Sequence, residues 1–254
     1  MIMETNNALY NFCLRLADNN MILGQRLAEW CSRGPILEED LALTNLSLDL
    51  FGQAESFYEY AAALMNNSLR ADDLAFLRNE REYFNCLLAE QPNGDFAFTM
   101  MKQFLFSCFA KHLYEGLQLS KDEMISGLAA KAIKEIKYHI RHSSEWIIRM
   151  GNGTEKSKRK VQFALDELWR FTDDMFEMND TDEILIAAKI SFDPRGQYLK
   201  WKSDVLMIFN NAGLEIPANS FAIKGGINGL HTEHLGHILC EMQYLQRAHP
   251  GASW

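Results

Sequence analysis

The residues best suited to metal or proton chemistry lie in a segment where Glu135, His139 and His142 follow one another at helical spacing. Positions i, i+4 and i+7 share one face of a helix, so these three side chains can meet. A carboxylate beside two imidazoles is suited to binding a metal ion or to transferring a proton. The alternative is a structural polar network in which Lys131, four residues before Glu135, forms an ion pair with it. The sequence favours the structural network, because a buried carboxylate needs partners whether or not it reacts.

A second candidate begins at Asp49. Di-iron proteins built from helix bundles carry a Glu-x-x-His pair on each of two helices, with the imidazole three residues after the carboxylate. Three residues after Asp49 the sequence has Gly52, followed by Gln53, and three residues after Glu135 it has Tyr138. No Glu-x-x-His or Asp-x-x-His occurs anywhere in the sequence. We therefore predict that this chain lacks an intact di-iron centre.

The third candidate is a histidine-rich segment near the C-terminus. It contains His231, Glu233, His234 and His237, with Glu241 in helical phase behind the last two histidines. Zinc proteases use His-Glu-x-x-His, in which two imidazoles at i and i+4 flank the general base. Here the glutamate precedes the histidine, and the order is Glu-His-Leu-Gly-His. The sequence favours helix capping and hydrogen bonds between helices over a metal site.

The charge distribution limits the classes of partner. The formal net charge is −9, and an acidic chain repels the phosphates of nucleic acids, which argues against nucleic acid as a partner. One basic run, formed by Lys156, Lys158, Arg159 and Lys160, stands out near a predicted helix start. We interpret it as a solvated face, with contact to an anion or to a partner protein as the alternative.

Other motifs are absent from the sequence. The five cysteines include no Cys-x-x-Cys pair, which argues against a zinc ribbon or redox motif and favours the reducing cytoplasm. The first residues lack the pattern of a signal peptide, and no apolar run approaches the ~20 residues of a membrane span. The sequence also lacks a Gly-x-Ser-x-Gly elbow, a phosphate-binding loop and a dinucleotide fingerprint. The cysteines are Cys13, Cys31, Cys86, Cys108 and Cys240.

The elements that position these residues are long helices. The 254 residues include five prolines and 15 glycines, too few breakers for a many-turned β fold. Apolar residues recur at steps of three and four along most of the chain, which predicts helices. Several helices of ~20–30 residues joined by short loops form a bundle. The predicted helices cover about residues 9–30, 38–64, 72–90, 96–119, 133–150, 154–178 and 232–247, and another begins at residues 193–194.

Local signals indicate where these helices begin and end. Asp95 follows a Pro-Asn-Gly turn and can cap the next helix, as can Thr154 further along the chain. Pro194 suits a first helical position, because proline has no amide hydrogen to leave unsatisfied. Residues 46–51 alternate like a strand, but the helical pattern continues on both sides, so we predict helix there. Residues 213–229 are predicted to form the longest loop.

An ordered series of short segments along nearly the whole chain identifies a family. One of them is Asp40-Leu-Ala-Leu-Thr-Asn-Leu-Ser-Leu-Asp-Leu-Phe-Gly-Gln-Ala54, and another is Gly229-Leu-His-Thr-Glu-His-Leu-Gly236. In these segments the chain resembles the phenylacetyl-CoA epoxidase family, and within it the structural C subunits and not the catalytic A subunits. The remaining segments are residues 25–30, 90–97, 131–135, 138–139, 151–154, 168–172 and 241–247.

The resemblance implies a fold and a division of labour between subunits. We expect an all-α, ferritin-like long-helix bundle with additional C-terminal helices. We also expect one domain over residues 1–254, with a core bundle at about 5–178 and a helical extension at about 179–254. The family's complex is cytoplasmic and epoxidises the aromatic ring of phenylacetyl-CoA with oxygen and with electrons from NADPH. The di-iron ligands belong to its catalytic A subunit, and its reductase holds FAD and a 2Fe-2S cluster.

For this chain the resemblance implies a partner role without chemistry of its own. The expected partners are the catalytic A subunit, a small B subunit and the reductase, and neither a cofactor nor a metal is expected on the chain itself. Asp49, Lys131, Glu135 and His139 are then relict or polar-network positions. Two alternatives stay open, a stand-alone metal-dependent oxygenase that uses carboxylates and histidines, and a helical scaffold unrelated to oxygenation.

Overall fold

The computed structural model describes residues 2–65, 69–218 and 220–252, and these residues form helices and loops without a β-strand. The all-α, ferritin-like fold class predicted from the sequence is confirmed. Within these residues, no helix combines the length and the apolar character that crossing a bilayer requires. The α-helices are α1 (Ile2–Ala28), α2 (Leu37–Leu64), α3 (Ala71–Phe76), α4 (Leu87–Glu90), α5 (Phe96–Leu117), α6 (Glu123–Gly151), α7 (Glu155–Leu168), α8 (Asp180–Ala187), α9 (Tyr198–Ala212), α10 (Glu233–Met242) and α11 (Tyr244–Ala248).

The chain divides into two compact units, each made of segments that are not contiguous in sequence. The first unit contains α1 to α4, α8, α10 and α11, and the second unit contains α5 to α7 and α9. The prediction of one domain with a core at about 5–178 and an extension at about 179–254 stays a prediction. The first unit comprises Met1–Pro92, Asn179–Ala188 and Gly225–Trp254, and the second comprises Asn93–Met178 and Lys189–Lys224.

Helices α1 and α2 form the centre of the first unit and run antiparallel. Ser47 Oγ donates a hydrogen bond to the Gly24 carbonyl at 2.8 Å, and Tyr58 Oη donates to Asp18 Oδ1 at 2.6 Å. Later positions on α2 therefore face earlier positions on α1. A Cβ atom at Gly24 would lie 3.0 Å from the Phe51 ring, so a larger residue there would require the ring to move. The buried apolar side chains of the pair include Leu16, Leu23, Leu27, Leu43, Leu50 and Phe57.

The predicted helix over residues 72–90 is wrong in its middle part, because only α3 and α4 form at its two ends. The backbone N–H of Phe84 donates to Asp18 Oδ2 at 2.8 Å, and that of Cys86 donates to Asn19 Oδ1 at 2.7 Å. Amide groups that a continuous helix would bond internally are thus bonded to side chains of α1. A hydrogen bond to a buried carboxylate is stronger than one between neutral groups, which favours the extended path here.

The second unit is built on α5 and α6, with α7 and α9 packed against them. The rings of Phe96, at the start of α5, and Trp146, near the end of α6, meet edge to face at 5.0 Å, so these helices are antiparallel. Trp201 of α9 is fully buried and donates from its indole nitrogen to the Leu105 carbonyl at 3.2 Å. Its ring contacts those of Trp169 and other aromatic residues, which form the apolar centre of this unit. These neighbours are Trp169 at 5.6 Å, Phe176 at 5.4 Å and Tyr198 at 5.7 Å.

Several predicted boundaries are confirmed. Residues 46–51 lie inside α2, and the described part of residues 213–229 forms a loop with one short 3-10 turn. Asp95 Oδ1 accepts from the Phe98 amide at 3.1 Å, and Thr154 Oγ1 accepts from the Ser157 amide at 3.2 Å, so both residues cap helices. Pro194 opens a 3-10 turn that leads into α9.

Of two other predicted helices, one ends early and one is divided. The helix over 154–178 is wrong beyond Leu168, where 3-10 turns replace it and the Thr172 hydroxyl satisfies the Trp169 carbonyl at 2.8 Å. The helix over 232–247 is divided at Gln243, whose buried side-chain amide donates to the Arg78 carbonyl and the Tyr83 hydroxyl at 2.9 Å each. In both places a polar side chain takes a local or tertiary partner that the helical periodicity does not reveal.

Candidate functional site

The predicted α2 residues do not resemble a pair of metal ligands. Asp49 is half-buried, and Gln53 is buried one turn later on the same helix. Gly52, which stands where the imidazole would be, has open space around the position of a Cβ atom. The helix therefore offers one carboxylate and one amide at this level and no imidazole.

A buried carboxylate on α1 is already neutralised. Asp18 is fully buried, and its carboxylate accepts hydrogen bonds from Tyr58 Oη at 2.6 Å and from the Phe84 amide at 2.8 Å. The Arg78 guanidinium also donates to both carboxylate oxygens, at 3.1 Å to Oδ2 and more closely to Oδ1. Burial lowers the pKa of Arg78, but the charge and hydrogen bonds of Asp18, together with the neighbouring Tyr58 and Tyr83, outweigh burial and raise it. A carboxylate held by a permanent cation in this way is not available as a metal ligand.

Tyr58 and Tyr83 surround the same ion pair with aromatic rings. The Arg78 guanidinium carbon lies 4.2 Å from the centre of the Tyr83 ring and 5.5 Å from that of Tyr58. Burial raises the pKa of both phenols above the usual value, and the charge of Asp18 raises the pKa values further. Both tyrosines therefore stay protonated and act as hydrogen-bond donors at neutral pH. The arrangement suits structural support and not proton transfer at neutral pH.

Glu90 is the centre of a second buried cluster in the first unit. Its Oε1 accepts from the Thr232 amide at 2.7 Å and the Thr232 hydroxyl at 2.8 Å, while its Oε2 accepts from Asn85 Nδ2 at 2.9 Å. His231 Nδ1 lies 2.8 Å from the same Oε2, and His231 Nε2 lies 2.8 Å from the Tyr83 carbonyl. A carboxylate and a carbonyl only accept hydrogen bonds, so both imidazole nitrogens must donate. His231 is therefore an imidazolium, which has no lone pair for a metal.

The histidine-rich segment is thus divided between two environments. His231 precedes α10, and its ring side chain is fully buried against Glu90, as the sequence interpretation of inter-helix hydrogen bonds predicts. Glu233, His237 and Glu241 are exposed on α10, and His234 is half-buried. The zinc-site alternative for this segment finds no support, because its first imidazole is used by Glu90.

On α6 the predicted residues lie along one side of the helix, but they differ in burial. Lys131 is exposed, Glu135 and His142 are half-buried, and His139 is 1% exposed. The His142 ring stacks on Tyr138 with centroids 6.1 Å apart. The predicted ion pair between Lys131 and Glu135 stays a prediction. The face is amphipathic, with one imidazole buried and its carboxylate neighbour at the edge.

Helix α5, which packs against α6, carries the wrong charge for a metal site. Its sequence contains a single acidic residue, Glu115, and that residue is exposed. Its buried polar residues include Lys102, whose Nζ donates to Asn93 Oδ1 at 3.2 Å, and Gln103, whose Nε2 donates to Ser107 Oγ at 3.0 Å. A buried ammonium repels any metal cation placed near it.

One further acid–imidazole pair in the second unit was missed from the sequence. Asp204 Oδ2 accepts from Lys111 Nζ at 2.7 Å and lies 2.9 Å from His112 Nε2. Burial raises the pKa of Asp204, but Lys111 and His112 outweigh it and hold the value below its usual range. Its one detectable signal was the Lys-His dipeptide on α5, since the aspartate is distant in sequence. The ammonium makes this a surface ion-pair network.

The basic run lies on α7. Lys156, Lys158, Arg159 and Lys160 are all exposed, and Lys160 Nζ lies 2.7 Å from Asp95 Oδ2. The structure therefore agrees with a solvated face. The alternative contact with an anion or partner stays a prediction.

The di-iron centre implied for the complex requires several carboxylates and two imidazoles around the metal ions. Neither unit offers that set among its described residues. In the first unit Asp18 is paired with Arg78 and His231 with Glu90, and in the second unit the buried polar residues of α5 include the Lys102 ammonium. Among residues 2–65, 69–218 and 220–252, no group of three or more His, Cys, Asp or Glu side chains is placed to hold a metal ion.

Comparison with known proteins agrees with the sequence resemblance. A family model described as phenylacetic acid catabolic protein matches residues 1–254. The chain is 46% identical over 248 residues to the C subunit of 1,2-phenylacetyl-CoA epoxidase from Escherichia coli strain K12. That alignment covers 98% of this chain and 100% of the relative. The chain therefore belongs to the phenylacetic acid catabolic protein family.

Proposed function

We propose that the chain is the non-catalytic C subunit of a cytoplasmic, multicomponent phenylacetyl-CoA 1,2-epoxidase. In this role it pairs with the di-iron catalytic A subunit, stabilises it and helps to shape its substrate entrance. The small B subunit and the reductase complete the complex. The reaction with oxygen takes place on the catalytic subunit. The reductase holds FAD and the 2Fe-2S cluster and supplies electrons from NADPH.

One observation carries this proposal. The chain matches a named C subunit over 98% of its length, yet in its first unit the buried acid Asp18 is held by Arg78 and the buried imidazole of His231 is held by Glu90. A catalytic member of such a bundle family carries carboxylates and imidazoles that face the metal ions. Here they contribute instead to the stability of the fold, as expected of a subunit that supports a partner.

Two alternative functions would require different experimental results. A stand-alone oxygenase would depend on Asp49, Glu135, His139 and the segment from His231 to Glu241, and it requires iron on the isolated chain. A scaffold unrelated to oxygenation would not associate with the catalytic subunit. The match to the named epoxidase subunit favours the C-subunit role over both.

Co-expression of the chain with the catalytic subunit of the same organism tests the proposal. We expect the two chains to co-elute in size-exclusion chromatography, and metal analysis of the separated subunits to find iron only in the catalytic one. The control is the chain expressed alone, purified and analysed in the same way. Stoichiometric iron in the isolated chain would support the oxygenase alternative, and the lack of a complex would support the scaffold.

A further inference from the structure

Helix α2 has an apolar face on its outer side. Leu37, Leu41 and Leu48 are 72%, 56% and 60% exposed, whereas Leu43 and Leu50 on the opposite face are buried. At 100° per residue the three exposed leucines lie within one narrow stripe of the helix surface. Single exposed leucines are ordinary, but a row of them along one helix marks an interaction surface.

The same helix carries charge of one sign only. The sequence from Leu37 to Leu64 contains six carboxylates and no lysine or arginine. Glu38, Glu55 and Glu59 are exposed; Glu55 and Glu59 continue the line of the leucines beyond Gly52, and Glu38 lies beside that line near the start of the helix. The six carboxylate residues are Glu38, Glu39, Asp40, Asp49, Glu55 and Glu59. An apolar row that continues into acidic residues complements an apolar row that continues into basic residues.

Gly52 supplies an independent observation on this face. Glycine inside a helix costs about 1 kcal/mol relative to alanine, so a mid-helix glycine needs a reason. Gly24 has one, because Phe51 would collide with a larger side chain there. Around the Cβ position of Gly52 there is nothing within 4 Å, so packing within the described chain does not require glycine. A small residue one turn after Leu48 lets a second backbone approach the stripe closely.

A groove continues from the stripe on the same unit. It has a volume of about 500 Å³ and is lined by Leu48, Phe51 and Gly52 of α2, by Met21 of α1 and by Phe76 of α3, among others. A groove of mainly apolar lining beside an exposed stripe accepts one or two large side chains of a docked helix.

We propose that this outer face of α2, defined by Leu37, Leu41, Leu48 and Gly52, docks a long amphipathic helix of another protein. Apolar side chains of that helix cover the leucines and enter the groove, and its Lys and Arg side chains meet the carboxylates of α2. From Leu37 to Gly52 the face is about 23 Å long, which matches roughly four turns of a bundle helix. With the proposed function as its basis, the partner is the catalytic subunit.

The charge pattern argues against two other occupants. A second copy of the chain would bring its own six carboxylates against these six, and like charges across an interface are repulsive. An anionic membrane surface would repel the same carboxylates, since surface-bound amphipathic helices are rich in Lys and Arg. A partner with Lys and Arg beside its apolar stripe meets neither penalty.

Binding of purified wild-type and variant chains to the purified catalytic subunit, measured by biolayer interferometry, tests this surface. Leu41→Gln together with Leu48→Gln is expected to raise Kd about 100-fold, because both side chains are central to the stripe. The matched control is Leu199→Gln with Met207→Gln, two exposed apolar residues of α9, which should leave Kd unchanged. Circular dichroism verifies that each variant is folded.

Two further variants keep the test decisive if the double leucine variant is unstable. Gly52→Leu adds a side chain in open space, so it should keep the fold and still weaken binding about tenfold by blocking close approach. The same change at Gly127, which also has open space but lies on α6 in the other unit, should have no effect. Glu55→Lys with Glu59→Lys should slow association about tenfold at low salt.

Each failure has a distinct meaning. If the wild-type chain binds the catalytic subunit and all the α2 variants bind equally well, the outer face of α2 is not the binding surface, although the proposed complex still forms. If the wild-type chain does not bind, the proposed function fails, and the partner assigned to the surface fails with it. Self-association of the wild-type chain that Leu41→Gln abolishes would replace the heterologous partner with a second copy.

Discussion

In the first unit the long helices α1 and α2 enclose charged side chains, whereas in the second unit α5 and α9 pack with aromatic rings. Asp18 and Arg78 lie at the centre of the first unit, and Trp201 lies at the centre of the second. Both interiors are buried, but different kinds of side chain fill them. The first depends on the matching of each charge with a partner, and the second depends on the exclusion of water by large rings.

A buried charge in a helical bundle can serve either a metal site or the stability of the fold. A buried acid is a ligand when it faces a metal and a structural element when it faces a guanidinium. Asp18 and Glu90 are in the second situation, because Arg78 and His231 take their charges. The aromatic centre of the second unit, around Trp201, is apolar instead. Among the described residues, neither centre presents a group of three or more acids and imidazoles to a metal ion.

The largest change in the free energy of unfolding is expected when the aromatic centre of the second unit is disrupted. Trp201→Ala should lower the free energy of unfolding by about 4 kcal/mol, because it removes the indole from a fully packed site and leaves a cavity. Urea unfolding followed by circular dichroism measures this change. Phe163→Ala is the control, since Phe163 is exposed, and it should change the free energy by less than about 0.5 kcal/mol. Equal effects of the two substitutions would contradict the assigned centre.

The next largest change in the free energy of unfolding is expected when the charged centre of the first unit is disrupted. Asp18→Asn should cost about 3 kcal/mol of unfolding free energy, because it leaves the Arg78 guanidinium buried without its counter-charge. Glu167→Gln is the matched control, since its partner Arg170 lies at the surface and such pairs contribute about 0–1 kcal/mol. A cost at Asp18 as small as that of the control would show that the ion pair is not essential.

A smaller effect is specific to pH. Burial lowers the pKa of His231, but the hydrogen bond to Glu90 and the charge of Glu90 outweigh burial and raise the pKa above its usual value. The stabilisation from the charged imidazole is therefore fully present below about pH 6.5 and is lost as pH rises through the folded-state pKa. His231→Gln should cost about 2 kcal/mol at about pH 6 and less at alkaline pH. Urea unfolding of both proteins at several pH values tests this, and a cost that grows with pH would contradict it.

The smallest effect compares two glycines on neighbouring helices. Gly52→Ala should raise the free energy of unfolding by about 1 kcal/mol, because alanine is the better helix former and its methyl group has open space. Gly24→Ala should lower it, because the new Cβ atom would lie 3.0 Å from the Phe51 ring. Thermal unfolding of the two variants measures both signs. A destabilising Gly52→Ala would indicate that a neighbour within the chain already covers this position.

The long helices could be predicted well because their signals are local. Apolar residues that recur every three or four positions predicted α1, α2, α5 and most of α6. Asp95 and Thr154 marked two helix starts, and their side chains cap those helices. These features depend on residues within one or two helical turns of each other. Nothing distant in the chain was needed to recognise them.

The interrupted helices and the buried ion pairs could not be predicted in the same way. Asp18 and Arg78 are 60 positions apart, and Glu90 and His231 are 141 positions apart, so neither pairing leaves a local pattern. The bonds from the Phe84 and Cys86 amides to Asp18 and Asn19 also join distant positions, and they explain why the predicted helix over 72–90 is wrong in its middle part. The absent Glu-x-x-His pairs were visible in the sequence, but the partners that hold the remaining acids were not.

The most direct test of the central claim measures turnover of the assembled epoxidase with altered acids on this chain. Asp49→Asn with Glu135→Gln conserves size and removes the two carboxylates closest to a ligand pattern. The account predicts that kcat for phenylacetyl-CoA epoxidation stays within about twofold of wild type, and that omission of this chain abolishes activity. A loss of about 100-fold in kcat, with subunit affinity unchanged, would show that the chain takes part in the chemistry and would contradict the account.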